Sequence, residues 1–427
     1  MIKNALIGQK AERDAFLKGN YVPREGVLSA KAALENALIK VIMGPRRAGK
    51  SIFAIQMLKG VDFAYLNFDD ERLADTDDFD ELLKSIIEVY GETEYLLFDE
   101  IQNVKGWELF VNRLHRRGKN LIVTGSNSKL LSRELATHLT GRYIPFQVLP
   151  FSFPEFLLAK KFDFDDVLEM KEQQGLLLRN LSDYLSSGGY PEIVTGNMDG
   201  KHYLATLFDS ILFKDIVKRY NVRYAKKLYD LGRYLITSHS SLFSYNKLKN
   251  LPKIRSVHTV ENYVEYLKEA YLIFNIDRFS NKVKESLSSP RKAYAYDLGI
   301  INSVKFKISP DIGRLLENLV AIELLRREEE FYYYKSRDGK EVDFAIKEGL
   351  AIAQLIQVCY EINDKTTRNR EISSLIKVAK ETGCNNLMIL TWDFEDNATI
   401  KGKDILFLPI WKWLLPEKKD QVLYCNI

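Results

Sequence analysis

One short stretch constrains this chain more than any other. The apolar run LIKVIM at residues 38–43 breaks at Gly44, passes through Pro45, Arg46, Arg47, Ala48, Gly49, Lys50 and Ser51, and becomes apolar again in IFAIQM. A β-branched and aliphatic run that ends at a glycine reads as a buried strand, and the segment after Ser51 reads as a helix. Gly44 to Ser51 fit GxxxxGK[ST] at every fixed position. The glycines let backbone N–H groups curl around an anion, and the helix that follows aims its N-terminus at it. Lys50 would reach the outer phosphates of a nucleoside triphosphate, and the Ser51 hydroxyl would ligate Mg²⁺. The expected ligands are therefore ATP and Mg²⁺.

About fifty residues on, EYLLFDE at 94–100 is an apolar strand ending in two acids. Asp99 suits a carboxylate that orients the metal, and Glu100 one that polarises the attacking water. Further strands are expected at FAYLNFDD (63–70), NLIVTGSNS (120–128) and RYIPFQVLP (142–150), separated by helical stretches. Five alternating strands predict a parallel sheet covered on both faces, of the kind with an added central strand and a catalytic glutamate. Ser126 and Asn127, at the polar end of the fourth strand, are candidate γ-phosphate sensors; a simple turn is the competing reading.

These segments, with LTGRY at 139–143 and PFSFPEFL at 150–157, resemble the AAA-type ATPases of archaea and bacteria that carry a C-terminal domain of unknown function, a group within the AAA+ and STAND-like ATPases. The resemblance implies a fold class: an α/β P-loop NTPase sheet of the ASCE/AAA type, then a helical winged-helix region, then a restriction-endonuclease-like α/β domain. It implies domains at residues 1–36 (a helical extension), 37–150 (the ATPase core), 151–297 (helical, with a winged helix-turn-helix) and 298–427 (PD-(D/E)XK nuclease-like, degenerate). It also marks Arg142 as a phosphate-sensing or finger arginine, with a surface salt bridge as the alternative. In the extension, read as two short helices around a Pro-containing turn, Arg24 is expected to cap the fold.

Composition fits this organisation. At 427 residues, 46% hydrophobic and 28% charged, the chain is expected to be globular and to form two or three domains. No apolar run is long enough for a membrane span, and the N-terminal residues lack the apolar centre of a signal peptide, so a cytoplasmic location without membrane attachment is expected. Cys359, Cys384 and Cys425 have no paired spacing and suggest neither a disulfide framework nor zinc.

Charge is unevenly placed. Residues 211–260 hold eleven Lys or Arg against Asp215 and Asp230, a balance of +9 in a chain whose total is +4, leaving −5 for the remainder. SYNKLKNLPKI, SVHTVENYVEYLKEA and the residues that follow read as helix, helix, strand, turn, strand. Ser256 would cap the second helix, and Val257, Val260, Val264 and Leu267 would form its buried stripe. Lys247, Lys249, Lys253 and Arg255 are candidate contacts to the phosphates of duplex DNA. Glu261, Glu265 and Glu269 give the same helix an acidic stripe that opposes such a role, so a protein partner or an intramolecular lid is the other reading.

From about residue 300 the pattern reads helix, three strands, helix, strand, then a final strand and helix. Glu317 and Asp343 sit where the nuclease resemblance places two metal-binding carboxylates. Gln357-Val358-Cys359 stands where it implies Glu-x-Lys, and neither substitute can do that chemistry. Lys347, by its even spacing from Asp343, and Glu361, by its spacing from Gln357, are the conceivable replacements. The functional expectation is a Mg²⁺-dependent ATPase that couples nucleotide state to the later modules. A nucleotide-gated switch on a protein partner and an ATP-dependent nuclease are the rivals.

Overall fold

The computed structural model of the chain describes residues 1–74, 76–126, 141–164, 170–196, 198–251, 254, 256–305 and 311–416. The chain divides into two compact units, the first built mainly from Met1–Phe151 and the second from Ser152–Lys268 and Leu272–Lys418.

In the first unit β1 (Ile39–Met43), β2 (Phe63–Asn67), β3 (Tyr95–Asp99), β4 (Asn120–Gly125) and β5 (Tyr143–Gln147) form one sheet in the order β2-β3-β4-β1-β5. All neighbours run parallel. These are the five strands read from the sequence, and β4 is the inserted central strand. Both faces are covered, which is why the strands are nearly continuous apolar runs rather than alternating ones. Val41 packs on one side with Phe98, Trp107 and Phe110, and Ile42 on the other with Phe53, Tyr65 and Ile122. The extension has two helices on either side of Pro23, as read from the sequence, but the first is long rather than short, running unbroken over Ile2–Lys18, and the second spans Val27–Ala32. Gly8 does not interrupt the first because Ala5, Leu6 and Gln9 are buried around it, and tertiary burial outweighs the roughly 1 kcal/mol that an internal glycine costs.

The second unit contains two sheets. β6 (Ser241–Phe243), β7 (Ile273–Ile276) and β8 (Arg291–Ala295) are antiparallel in the order β6-β8-β7. Helices Ala225–Thr237, Tyr245–Asn250 and Val257–Glu269 accompany them, and a helix, Val283–Ser288, stands between β7 and β8 where a turn is read from sequence. Val260, Val264 and Leu267 are fully buried, whereas Val257 is only half-buried.

The larger sheet comprises β9 (Phe331–Lys335), β10 (Glu341–Glu348), β11 (Ala351–Cys359), β12 (Leu387–Thr391), β13 (Asp396–Ile400) and β14 (Lys403–Pro409), ordered β13-β14-β12-β11-β10-β9. Helix Lys365–Thr382 makes the crossover between the parallel strands β11 and β12. Two strands rather than one follow β12. β13 is polar and half-exposed, so it has little hydrophobic signal; its mark is the Lys401-Gly402 turn, with φ of 51° and 74°, a pair that suits a two-residue hairpin. Among the described residues no helix is long and apolar enough to cross a membrane. Cys359 and Cys384 are buried free thiols, and Cys425 lies outside the described residues.

Gly44 is the glycine the first sheet cannot replace. Where β1 leaves the sheet, Val148 N–H donates to the Met43 carbonyl at 2.7 Å, and a Cβ on Gly44 would lie 1.9 Å from the Val148 carbonyl oxygen. Gly44→Ala is expected to cost roughly 1–3 kcal/mol through forced backbone displacement. Gly175→Ala, inside helix Lys171–Ser187 with no atom within 4 Å of the added methyl, should instead stabilise by about 0.5–1 kcal/mol. Denaturant melts of the two variants would check the opposite signs.

Candidate functional site

The sheet order places the ends of β1, β4 and β3 side by side. Gly44 to Ser51 carry the chain from β1 into helix Lys50–Met57. Inside this loop the Ala48 N–H donates to the Pro45 carbonyl at 3.2 Å, and the buried Lys50 ammonium donates to the same oxygen at 3.1 Å. Arg47 and Gly49 have φ of 67° and 92°, so the loop curls with its backbone inward. Arg46 is half-buried and Arg47 exposed. Arg24 fixes the loop through the 2.8 Å bond it donates to the Ala48 carbonyl and the 2.6 Å bond to that of Leu149, with its guanidinium 5.0 Å from the Phe151 ring. Its capping role is thus visible in the geometry.

Asp99 ends β3 and is 3% exposed. One carboxylate oxygen accepts the Thr124 hydroxyl, the other accepts the Tyr65 hydroxyl at 3.1 Å, and the Ser51 hydroxyl also bonds to Asp99. Burial raises the Asp99 carboxyl above its ordinary range, with Glu100 adding to it, while Thr124, Ser51 and Lys50 pull the other way. Glu100 is left-handed, with φ 52° and ψ 43°. Its N–H donates to the Thr124 hydroxyl at 3.0 Å, and its carboxylate lies 3.5 Å from the Lys50 ammonium and accepts the Gln102 amide at 2.5 Å. Burial opposes its charge, but Lys50, Gln102 and Arg46 hold its carboxyl below the usual range. Lys50, Ser51, Asp99 and Glu100, four residues read from sequence, therefore meet at one end of the sheet.

Ser126 is half-buried just past β4, and Asn127 lies outside the described residues. The β4 residue that joins the acidic pair is Thr124, which sequence reasoning passed over; pairing of Phe98 with Val123 in register puts Thr124 level with Asp99. Arg142 is exposed and donates to the Asn112 side chain at 2.8 Å. In the second unit Lys247 is exposed and Lys249 half-buried, and Lys253 and Arg255 lie outside the described residues.

A second cluster lies within the second unit. Glu317 (helix Ile312–Arg326), Glu341 and Asp343 (both on β10) surround Lys292 of β8, whose ammonium is 2.9 Å from Glu317, 2.9 Å from Glu341 and 3.1 Å from Asp343. Lys292 is 4% exposed. Burial works against its charge, yet Glu317 and the other carboxylates hold it protonated well above the ordinary range. The Tyr294 hydroxyl donates to Glu317 at 2.8 Å, and the Val358 N–H to Asp343 at 3.1 Å. Gln357 accepts the Asp343 N–H at 3.3 Å and donates to Glu371 at 2.6 Å. Glu317, Asp343 and Gln357 are thus neighbours, but the cation among them is Lys292. Lys347 is not: the register shifts between Ile346 and Lys347, and Lys347 pairs with Glu330 at 2.7 Å. Among the described residues no group of three or more His, Cys, Asp or Glu is arranged to hold a metal ion.

The parallel sheet, phosphate-type loop and acidic strand end define an AAA-type P-loop ATPase fold, and residues 36–157 match an AAA domain family. Residues 178–311 and 312–413 match two domains of unknown function, DUF8612 and DUF4143. The chain is 39% identical over 397 residues to the uncharacterized protein MJ1544 of Methanocaldococcus jannaschii, covering 88% of each. An uncharacterized protein of Haemophilus influenzae is 31% identical over 390 residues, covering 87% of this chain and 94% of that protein. The chain belongs to one family with these archaeal and bacterial proteins. Among solved structures, the Walker-type ATPase PABY2304 of Pyrococcus abyssi is similar at 15% identity with a TM-score of 0.43, over 68% of this chain and 99% of that one.

Lys292→Met would leave three carboxylates around an apolar side chain. It is expected to cost about 3–5 kcal/mol, as removal of one partner from a buried ion pair does. Adding Glu317→Gln should recover part of that loss, a non-additivity that a double-mutant cycle of chemical melts would measure.

Proposed function

We propose that this chain binds ATP with Mg²⁺ and hydrolyses it at the end of its parallel sheet. The observation that carries the reading is the convergence of Lys50, Ser51, Asp99 and Glu100 across the inserted strand β4. Backbone N–H groups between Arg46 and Ser51 would cradle the phosphates, in a loop that a Cβ at Gly44 would disrupt. The Ser51 hydroxyl and the Asp99 carboxylate already share a hydrogen bond and are hard oxygen donors, a set that fits Mg²⁺. The ion would supply charge neutralisation at the phosphates. Lys50 now serves Glu100; drawing the ammonium toward phosphate would free the Glu100 carboxylate to hold the attacking water. Ser126, Asn127 and Arg142 are proposed as phosphate sensors, with Thr124 as the residue that positions the acidic pair.

For the second unit we read Ala225–Ala295 as a winged helix. The element order of helix, β6, two helices, β7 and β8 supports this; in that reading Lys247 and Lys249 of helix Tyr245–Asn250 would meet duplex phosphate. A protein partner engaged by a nucleotide-gated switch is the competing use of the same module. We read the larger sheet as nuclease-like in ancestry and inactive in cleavage. Lys292 takes the centre of the carboxylates, and Gln357 is committed to Glu371.

Steady-state ATP hydrolysis with Mg²⁺, with and without duplex DNA, tests the reading. Glu100→Gln should bind a fluorescent ATP analogue normally while turnover falls by about 10²-fold or more. Lys50→Ala should lose nucleotide affinity itself. Normal turnover by Glu100→Gln would remove the assigned base, and binding with negligible turnover in wild type would favour the switch.

A further inference from the structure

A strongly basic stretch of the chain also carries exposed aromatic rings. Helix Gly200–Ser210 passes into a π-helix over Ile211–Val217, a widened turn of a kind found mostly as short insertions in α-helices and frequently at functional sites. Its buried side chains are Ile211, Leu212 and Ile216, while Phe213 is turned outward at 47% exposure. The Phe213 ring lies 6.2 Å from that of Tyr229 at an interplanar angle of 19°. Tyr224, 51% exposed, stands between Arg223 and Lys227, whose charges lie 5.4 and 5.2 Å from its ring. Tyr220 stacks on Tyr266 at 4.0 Å, and Tyr263 adjoins Tyr266.

Residues 213–229 carry six cations, Lys214, Lys218, Arg219, Arg223, Lys226 and Lys227, against the single carboxylate Asp215. Lys214, Lys218, Arg223 and Lys226 are exposed, and among the described residues none of them pairs with a carboxylate. Cations on the polar face of a helix are ordinary by themselves. Two large aromatic rings left about half exposed among these cations are not, because each forfeits burial that a core position would give. A partner that is both anionic and flat would satisfy the cations and the rings together.

We propose that this face, from Phe213 to Tyr229, binds single-stranded nucleic acid. Backbone phosphates meet the cations, and unpaired bases stack on Phe213 and Tyr224. Duplex DNA offers the same phosphates, but its base faces are already stacked and cannot use the rings. An acidic peptide has the charge without the flat apolar surface. The face is distinct from helix Tyr245–Asn250, and the inference does not depend on ATP hydrolysis.

The test is fluorescence anisotropy of the full chain with labelled dT20, rU20 and a blunt duplex of equal length, at low and moderate salt. The expected result is binding of one or both single strands at least tenfold tighter than the duplex. A preference between dT20 and rU20 would distinguish DNA from RNA. Phe213→Leu with Tyr224→Leu, which keeps apolar bulk and removes the rings, should weaken single-strand binding about tenfold or more while the thermal melt is unchanged. Lys218→Glu with Lys226→Glu should weaken it and flatten its salt dependence. Binding that is equal for duplex and single strand, or unaffected by loss of both rings, would overturn the proposal, as would no binding by wild type.

Discussion

Burial of the Asp99 carboxylate is the constraint around which the first unit is organised. A carboxylate at 3% exposure cannot rely on water, so its oxygens must be met by protein donors. The donors come from three separate places: Tyr65 on β2, Thr124 on β4 and Ser51 at the start of the helix after the loop. Only a sheet that sets β3 between β2 and β4 brings the first two to its sides, and the same insertion of β4 sets the distance from β3 to the phosphate-type loop. Strand order and the satisfaction of one buried acid are two descriptions of one arrangement. Thr124 links them further, since its hydroxyl donates to Asp99 and accepts from the Glu100 backbone.

The second unit meets a related problem with a different answer. Glu317, Glu341 and Asp343 are gathered around one ammonium, so the cluster holds more negative than positive charge in a place largely closed to water. Burial is the main cause that pushes the Glu317 carboxyl upward, and a proton there would reduce the excess. Buried ion pairs seldom add stability over an apolar filling of equal volume; what they add is intolerance of any other arrangement. Here that intolerance ties β8, helix Ile312–Arg326 and β10 together, because carboxylates from the helix and from β10 share the one ammonium that β8 supplies.

Much of the first unit was legible in the sequence because its signals are local. A strand that ends at a glycine, or at two acids, keeps its meaning whatever surrounds it, so Lys50, Ser51, Asp99 and Glu100 and all five strands could be read directly. What was missed depends on distant pairing. Tyr65 and Thr124 reach Asp99 from 34 and 25 residues away, and nothing in FAYLNF or LIVTGS marks one residue as facing an acid. Lys292 meets Asp343 across 51 residues, from a strand whose neighbours in sequence suggested a wing rather than a charge cluster. Parity along β10 pointed to Lys347 instead, and it failed because a register shift between Ile346 and Lys347 breaks the alternation on which parity rests. The polar β13 was unreadable for another reason: a half-exposed edge strand carries almost no hydrophobic pattern.

Two of the left-handed non-glycine residues lie at the candidate site. Arg47 and Glu100 hold left-handed conformations that cost non-glycine residues of order 1–3 kcal/mol each. Neither is needed to build the sheet, whose strands are continuous without them. Glu100 in an ordinary extended conformation would carry the chain onward along the direction of β3. The left-handed turn instead sends the chain into the short helix Ile101–Asn103, with the carboxylate held toward Lys50 and Gln102. The core beneath, with Phe98, Ile101 and Val104 all buried, supplies the packing that offsets the strain and keeps this conformation in place. Strain stored where four charged or hydroxyl side chains converge, and supported by a rigid layer that takes no part in the chemistry, is what a pre-organised site requires.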